Sequence, residues 1–275
     1  MRSNKNTDKK RHSNPDRVRP KKSLGQHFLH DQGIAQKIVE GLMVGKEEPV
    51  LEIGPGTGML TKYLLEQGRD LRVAEIDRDS VAYLKKHYPA LDGRIIEGDF
   101  LEMDLGTWFA GRFAVIGNFP YNISSQIFFR LLGYRNQVSE VVCMLQKEVA
   151  ERLASKHGDN GILSVLLQTY YHIDYLFKVS PGAFIPPPKV MSAVIRLRRN
   201  ERTELGCDEA HYVKVIKQGF NNRRKTLRNA LKNLNLAAEV SALPVMDKRA
   251  EQLSVEEFIQ LSTIIEQSRG SAASH

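Results

Sequence analysis

Between residues 50 and 154, short apolar runs alternate with stretches in which apolar residues recur at helical spacing. The runs that resemble strands are 50–54, 71–77, 94–99, 113–118 and 141–146. The helical stretches are 59–67, 79–87, 124–132 and 148–154. Because apolar strands that alternate with helices are covered on both faces, the pattern predicts an α/β, Rossmann-like fold with a mainly parallel sheet.

The segments outside this alternation predict an edge to the sheet and a second domain. A helix is predicted over 31–43, and strands over 175–179 and 191–198 flank a turn-rich link that indicates an antiparallel edge. Beyond residue 205 only helices are predicted, over 208–220, 223–231 and 254–266, the last opening with the capping-box pair Ser254 and Glu257. We therefore expect an α/β domain over 23–200 and an all-helical domain over 201–275.

The formal charge of +8 is concentrated at the amino terminus. Residues 1–22 hold nine Lys and Arg against two Asp, which leaves the remaining chain at only +1. We expect residues 1–22 to be a disordered basic arm, which either seeks phosphates or simply aids solubility. Apolar runs of membrane-spanning or secretory type are absent from the sequence, and Cys143 and Cys207 form no metal-binding pattern, so a cytoplasmic protein without a metal is expected.

A glycine-rich loop closes the first predicted strand. Gly54 and Gly56 let the backbone turn sharply and approach a ligand, although a structural turn is the alternative. Glu75 follows about twenty residues later, at the end of the next strand, where its carboxylate could accept both hydroxyls of a ribose. The loop has G-x-G-x-G spacing with Pro55 inside it and the acid Glu52 before it, which favours S-adenosylmethionine over a dinucleotide.

Two further strand ends carry candidate ligand-binding residues. Asp99 ends the third strand and could accept a hydrogen bond from the adenine amino group, with Phe100 beside the ring. The alternative role for Asp99 is to cap a turn, as we expect Asp77 to cap the helix that follows it. Both carboxylates would lie at the carboxyl edge of the sheet, where open α/β sheets bind ligands.

The Asn118-Phe119-Pro120-Tyr121 segment follows the fourth apolar strand and could hold the amino group of a nucleobase. The carbonyl oxygens of Asn118 and Pro120 would each accept one N–H, while Tyr121 would stack on the base. Phe184 is a candidate for the opposite face of the base, or alternatively a core aromatic at a turn. A base that enters such a pocket has to leave its stack.

Basic residues near the pocket and in the helical region are candidates for RNA contacts. Lys147 and Lys189 would lie near the pocket, and a helix over 223–231 would place Arg224 and Arg228 on one face. The cluster is completed by Arg223 and Lys225 in a segment without carboxylates, although solvated charge is the alternative.

Several motifs together resemble the KsgA-type ribosomal RNA adenine dimethyltransferases over nearly the whole chain beyond the arm. The matching segments are Gly25-Gln26-His27-Phe28-Leu29, Glu52-Ile53-Gly54-Pro55-Gly56, Glu75-Ile76-Asp77, Asn118-Phe119-Pro120-Tyr121-Asn122-Ile123-Ser124, Met144-Leu145-Gln146-Lys147-Glu148-Val149, Ala183-Phe184-Ile185-Pro186-Pro187-Pro188-Lys189-Val190 and Phe220-Asn221-Asn222-Arg223-Arg224-Lys225-Thr226-Leu227-Arg228-Asn229. The chain departs from the family pattern at His27, where many relatives have asparagine, and at Phe119, where leucine is more usual.

The resemblance implies dimethylation of N6 in two adjacent adenosines of the hairpin near the 3′ end of small-subunit ribosomal RNA, on immature 30S particles, by a monomeric enzyme. It implies S-adenosylmethionine contacts for the following positions: His27, Leu29, Gly54, Glu75, Asp99 and Asn118. One alternative is the related erythromycin-resistance type, which acts on large-subunit RNA. The other is a ribosome-assembly or transcription factor that has lost catalysis, against which the intact glycine loop, Glu75 and Asn118 argue.

Overall fold

A computed structural model describes residues 18–155, 160–222 and 224–272. For residues 270–272 it describes only the backbone. Its strands are β1 (Phe28–Leu29), β2 (Val50–Ile53), β3 (Leu71–Glu75), β4 (Ile95–Glu97), β5 (Phe113–Asn118), β6 (Val138–Gln146), β7 (Tyr171–Val179), β8 (Phe184–Ile185) and β9 (Ser192–Arg199). Its α-helices are α1 (Gln32–Glu40), α2 (Met59–Glu66), α3 (Arg78–His87), α4 (Ser124–Gly133), α5 (Lys147–Ala154), α6 (Ile162–Tyr170), α7 (Glu209–Asn221), α8 (Leu227–Ala230), α9 (Ala238–Ser241) and α10 (Val255–Ala272).

Seven strands form one sheet in the order β4-β3-β2-β5-β6-β9-β7. The first five pair in parallel, as the alternating pattern predicts. β9 runs antiparallel to both β6 and β7, so the predicted antiparallel pairing at this edge is confirmed. The fold is Rossmann-like, and its reversed strand lies one position in from the edge.

Alternate residues of the central strands enter the two hydrophobic layers that cover the sheet. Leu51 and Val115 belong to one buried cluster, whereas Val50 and Ala114 belong to the other. Because successive side chains of a strand point to opposite faces, a strand covered on both sides has to be apolar throughout. This burial explains the uninterrupted apolar runs of the sequence.

A separate core holds the carboxyl-terminal helices together, and α6 belongs to both regions of the molecule. Val165 and Leu166 lie in the core of the helical region, while Leu167 and Tyr170 lie in the core beside the sheet. The capping box at the start of α10 is present, with the Glu257 carboxylate accepting a hydrogen bond from the Ser254 amide at 2.9 Å. The sequence pattern did not predict α6.

Two predictions about the ends of segments require correction. Residues 1–17 of the predicted arm lie outside the described residues, but residues 18–22 are described, and Lys21 forms ion pairs with Asp77 and Asp79. The ordered chain therefore begins before the predicted boundary. The helix predicted over 223–231 is confined to Leu227–Ala230, because Thr226 forms a β-bridge with Arg249 and cannot continue a helix towards residue 224.

Candidate active site

A cavity of about 230 Å³ opens at the carboxyl edge of the sheet. Its walls come from the ends of β2, β3, β4 and β5 and from the chain that precedes and enters β1. The predicted site residues that line it are His27, Gly54, Gly56, Glu75, Asp99, Phe100, Asn118, Pro120 and Tyr121. Leu29 instead lines a smaller cavity next to it, which shares Gly54 and Asn118 with the first.

The glycine loop adopts a backbone that favours glycine at both predicted positions. Gly54 has φ +66°, and a Cβ added there would meet no atom within 4 Å, so it would extend into the cavity space. Gly56 has φ +56°, and a Cβ there would lie 2.9 Å from Cε1 of Phe28. The loop therefore keeps its own backbone close to the space in which a ligand would lie.

Glu75 is fixed at the cavity wall by two backbone amides. Its carboxylate accepts hydrogen bonds from the N–H of Gly56 at 3.0 Å and from the N–H of Asp77 at 2.9 Å. Burial raises the pKa of Glu75, while those backbone hydrogen bonds oppose the rise. Asp77 caps α3 by accepting from the N–H of Asp79, as its position predicts.

The sequence pattern suggests a charged acid before the loop, but Glu52 is buried there. It is 1% exposed and accepts a hydrogen bond from the Thr61 hydroxyl at 2.6 Å. Burial raises the pKa of Glu52 to about 8, and the hydrogen bond from Thr61 opposes the rise. A cation placed nearby would favour the ionised form of the carboxyl group.

Asp99 and Phe100 lie together where β4 gives way to the next turn. One carboxylate oxygen of Asp99 accepts a hydrogen bond from the N–H of Leu101 at 2.9 Å, so the capping role considered for Asp99 is present. The residue also lines the cavity, and capping with one oxygen leaves the other available to a ligand. Phe100 is 5% exposed and contributes to both the core and the cavity wall.

The orientation of the Asn118 amide follows from its partner. Asn118 Nδ2 donates a hydrogen bond to the backbone oxygen of His27 at 2.8 Å. Since a carbonyl oxygen can only accept, the amide nitrogen must face His27 and the Oδ1 oxygen must face the other way. No described residue donates to Oδ1, so the structure presents a carbonyl acceptor in a residue that lines the cavity.

The next residues of this segment add an acceptor and an aromatic ring. The Pro120 oxygen accepts from the N–H of Ile123 at 3.2 Å, which uses one of its two lone pairs. The Tyr121 hydroxyl is 2.6 Å from Oγ of Ser192, and burial raises the pKa of the phenol. Phe119 is 1% exposed and packs in the core, so this departure from the family pattern stays apolar and buried.

Phe184 does not offer an open face to a base in this structure. It is 2% exposed, belongs to a core cluster and pairs with Leu29 between β8 and β1. The stacking role predicted for Phe184 therefore lacks support, and its burial matches the alternative of a core aromatic. The ring that does stack on Tyr121 is His27, with centroids 5.6 Å apart and an interplanar angle of 26°.

His27 has contacts that sequence reasoning missed. In addition to its stacking on Tyr121, its Nδ1 lies 2.8 Å from the carbonyl oxygen of Pro186, 159 residues away. The sequence signal for these contacts was the histidine at position 27, where asparagine is more usual in the family. The contact itself required the pairing of β1 with β8, which no local pattern indicates.

The basic residues proposed for RNA contact fall into three groups. Lys147 begins α5 and forms an ion pair with Glu151 at 3.2 Å, and Lys189 is exposed on the loop that precedes β9. Arg224 and Lys225 are exposed in a turn rather than on a helix. Arg228 is engaged within its own region, since it forms an ion pair with Asp247 at 2.7 Å. Arg223 lies outside the described residues.

The shared helical face predicted for Arg224 and Arg228 is therefore wrong, because α8 begins only at Leu227. Within residues 18–155, 160–222 and 224–272, no cluster of His, Cys, Asp and Glu is arranged to hold a metal ion. In the same residues, no helix has the length and apolarity needed to cross a membrane.

Comparison with known proteins gives one consistent family. Residues 17–267 match the family model described as ribosomal RNA adenine dimethylase. The chain is 57% identical over 254 residues to the ribosomal RNA small subunit methyltransferase A of Cytophaga hutchinsonii, covering 91% of this chain and 98% of the relative. It is 57% identical over 251 residues to the protein of the same name from Parabacteroides distasonis, covering 90% and 94%.

Solved structures show the same architecture. A dimethyladenosine transferase from Plasmodium falciparum has a TM-score of 0.74 at 25% identity, covering 88% of this chain and 98% of its own. The 23S rRNA methyltransferase ErmE has a TM-score of 0.65 at 25% identity, covering 87% and 100%. The likeness to both spans most of each chain.

Proposed function

The chain belongs to the ribosomal RNA adenine dimethylase family, and from this membership we propose that it dimethylates N6 of two adjacent adenosines in the 3′-terminal hairpin of small-subunit ribosomal RNA. Its relatives at 57% identity carry the name small subunit methyltransferase. S-Adenosylmethionine is the proposed methyl donor, an immature 30S particle the proposed substrate, and a cytoplasmic monomer the proposed form.

The residues around the cavity fit this donor. Gly54 leaves space that a larger side chain would fill, and Glu75 stands at the wall with its carboxylate already oriented by Gly56 and Asp77. A fixed carboxylate suits a ribose diol, and a carboxylate oxygen of Asp99 suits an adenine amino group. Glu52, whose pKa is raised by burial, would ionise more readily beside a bound cation. When bound here, the donor would supply an electrophilic methyl group on a sulfonium.

The observation that carries the proposal is the orientation of the Asn118 amide. With Nδ2 held by the His27 carbonyl, Oδ1 is presented as an acceptor beside Pro120, whose carbonyl oxygen has a lone pair to spare. Two acceptors in residues that both line the cavity match the two N–H groups of an adenine amine.

Catalysis by these residues rests on alignment and electrostatics. Hydrogen bonds to Asn118 Oδ1 and the Pro120 oxygen would draw the amine away from conjugation with the ring, so that its lone pair points towards the methyl group. The same oxygen dipoles would stabilise the positive charge that develops on nitrogen. Each transfer leaves a positively charged nitrogen that releases one proton to solvent, so a single N–H remains after the first transfer, and either acceptor can hold it for the second. Tyr121 would support the ring, since its hydroxyl is anchored on Ser192.

A substrate panel tests the proposal. Purified protein with labelled S-adenosylmethionine would be incubated with immature small subunits, large-subunit RNA and duplex DNA side by side. We expect label only in the small-subunit RNA, recovered as N6,N6-dimethyladenosine after nuclease digestion. Label confined to large-subunit RNA would instead assign the activity named for ErmE. A product that stops at monomethyladenosine would contradict dimethylation.

A further inference from the structure

The segment from Lys21 to His27, here called the strap, forms an outer wall of the cavity. Ser23, Leu24, Gly25, Gln26 and His27 all line the cavity, although they come from a short segment that includes only one turn of 3₁₀ helix. Such a segment has few backbone hydrogen bonds of its own, so its position depends on side-chain contacts at its two ends.

At the base-binding end, the strap is held by residues already described. The His27 oxygen accepts from Asn118, and the His27 ring contacts Tyr121 and Pro186. Gly25 has φ +63°, and a Cβ there would lie 2.5 Å from Oδ1 of Asn122. This end therefore lies tightly against the Asn118–Asn122 turn.

At the cofactor end, the strap is held by charge. Lys21 Nζ forms ion pairs with Asp77 and, at 2.9 Å, with Asp79. Gln26 links Lys21 to Asp77, because its Oε1 accepts from the Lys21 N–H at 2.9 Å and its Nε2 donates to Asp77 at 3.3 Å. The Asp77 side chain is fully buried, while that of Lys21 is 41% exposed, so one end of the pair remains in contact with solvent and dissolved salt.

Asp77 connects the strap to the carboxylate proposed for the ribose. The Asp77 N–H donates to Glu75, and the other oxygen of Glu75 accepts from the Gly56 N–H. A continuous set of contacts thus runs from Lys21 through Asp77 and Glu75 to the glycine loop. The hydrogen bond to Asp77 raises the pKa of Lys21, so the ammonium form is retained.

We propose that Lys21 is a positioning residue for the methyl donor, which holds the strap against Asp77 and Asp79 so that the cofactor cavity keeps its outer wall. Lys21 does not line the cavity and so would act through the strap rather than by touching the donor. The inference rests on the proposed function only in taking an adenosine-based donor as the ligand of this cavity.

The direct test is calorimetric binding of S-adenosylhomocysteine, without RNA, to the full chain and its variants. Lys21→Met removes the charge and keeps most of the aliphatic stem, and Lys22→Met is the matched control at an adjacent exposed lysine. We expect Lys21→Met to weaken binding about tenfold and Lys22→Met to change it less than about twofold. Lys21→Arg should restore most of the affinity.

The salt dependence of binding distinguishes the loss of the ion pair from general damage to the fold. The ligand is a zwitterion without net charge at neutral pH, so the salt effect on its binding to Lys21→Met is the background against which the wild-type effect is compared. Between about 0.05 M and 0.5 M NaCl, wild-type affinity should fall towards that of Lys21→Met, while the variant changes little. Unchanged affinity in Lys21→Met at low salt would overturn the proposal, as would an equal loss at both salt concentrations.

Two further measurements guard against a misfolded variant or a wrong substrate. Asp79→Asn removes one partner of Lys21 while Asp77 continues to cap α3, and it should also weaken binding and reduce its salt dependence. In turnover assays, Lys21→Met should raise the KM for the donor and leave kcat at saturation almost unchanged. Because the binding assay contains no RNA, it can succeed even if the substrate panel rejects small-subunit RNA.

Discussion

The carboxyl edge of the sheet and the basic segment around residues 224–228 hold their polar side chains in different ways. At the carboxyl edge, Glu75 and Asn118 stand at strand ends and are oriented by hydrogen bonds to or from the backbone. In the basic segment, Arg224 extends from an exposed turn, and Arg228 forms an exposed ion pair with Asp247. Buried hydrogen bonds to the backbone fix the direction of a functional group. An exposed charged side chain is held only in its approximate position.

The sharpest test of this comparison is Asn118→Ala. Loss of the oriented acceptor should reduce turnover about 10²- to 10³-fold, which is typical for removal of a group that faces developing charge, while donor affinity changes far less. Single-turnover methylation and calorimetry on the same preparations would measure the two effects. Asn136→Ala, at an exposed turn that does not line the cavity, is the control, and wild-type turnover in Asn118→Ala would contradict the mechanism.

The pH dependence of stability tests the burial of Glu52. Its pKa is about 8 in the folded protein and near 4.5 in the unfolded chain, so the folded state holds more protons between these values. The contribution of Glu52 is fully present below pH 4.5, and it is lost as the pH rises towards 8. Unliganded wild-type protein should therefore lose stability across that window by about 1 kcal/mol per pH unit relative to Glu52→Gln.

Urea unfolding at several pH values, followed by circular dichroism, would measure the Glu52 effect as a difference between two proteins. Glu47→Gln, at an exposed position nearby, is the control and should follow the wild-type pH profile. Parallel profiles for Glu52→Gln and wild type would show that the Glu52 carboxyl group titrates normally.

Glu75→Ala should weaken donor binding by about ten- to a hundredfold, because it removes the carboxylate and leaves the Gly56 and Asp77 amides without their acceptor. Glu97 pairs with Glu75 in the β3–β4 register, but its side chain is exposed and bonded to Lys85. Glu97→Ala is therefore a matched control that should bind the donor normally. Equal affinities for the two variants would remove Glu75 from the cofactor site.

The smallest effects are expected in the basic segment. Arg224→Ala should weaken RNA binding severalfold and lower the salt slope of binding by about one, as the loss of one phosphate contact would. Arg228→Ala should instead lower the stability of the helical region by up to about 1 kcal/mol and leave the salt slope unchanged. Filter binding across a salt series and thermal unfolding separate the two. A reduced slope in Arg228→Ala would place that residue on the RNA surface after all.

The sequence predicts well which residues gather at the carboxyl edge of the sheet, because strand ends are defined by local patterns. Gly54, Glu75, Asp99 and Asn118 each end an apolar run, and parallel strands bring such ends to one edge. The side-chain contacts were harder to predict from the sequence. The stacking of His27 on Tyr121 depends on an approach between distant segments, and the burial of Phe184 depends on the β1–β8 pairing.

The helical region was predicted less well for a related reason. The local pattern predicts one helix over 223–231, but with the bridge from Thr226 to Arg249 helix α8 begins only at Leu227. Helix α6 was missed because most of its residues are buried or apolar, so it lacks the polar face that marks a surface helix. Both errors concern contacts between parts of the chain that are far apart in sequence.

Because α6 contributes to two cores, the two regions cannot be exchanged or expressed as separate pieces cut near residue 200. A fragment that ends there would carry Val165 and Leu166 without the helices that cover them, and the Thr169 hydroxyl without Tyr212, 2.8 Å away. Exposed apolar surface of this kind promotes aggregation. A chimaera that takes its helical region from a relative should therefore also take Val165 and Leu166 of α6 from it, while β7 and β9 stay native because they belong to the sheet.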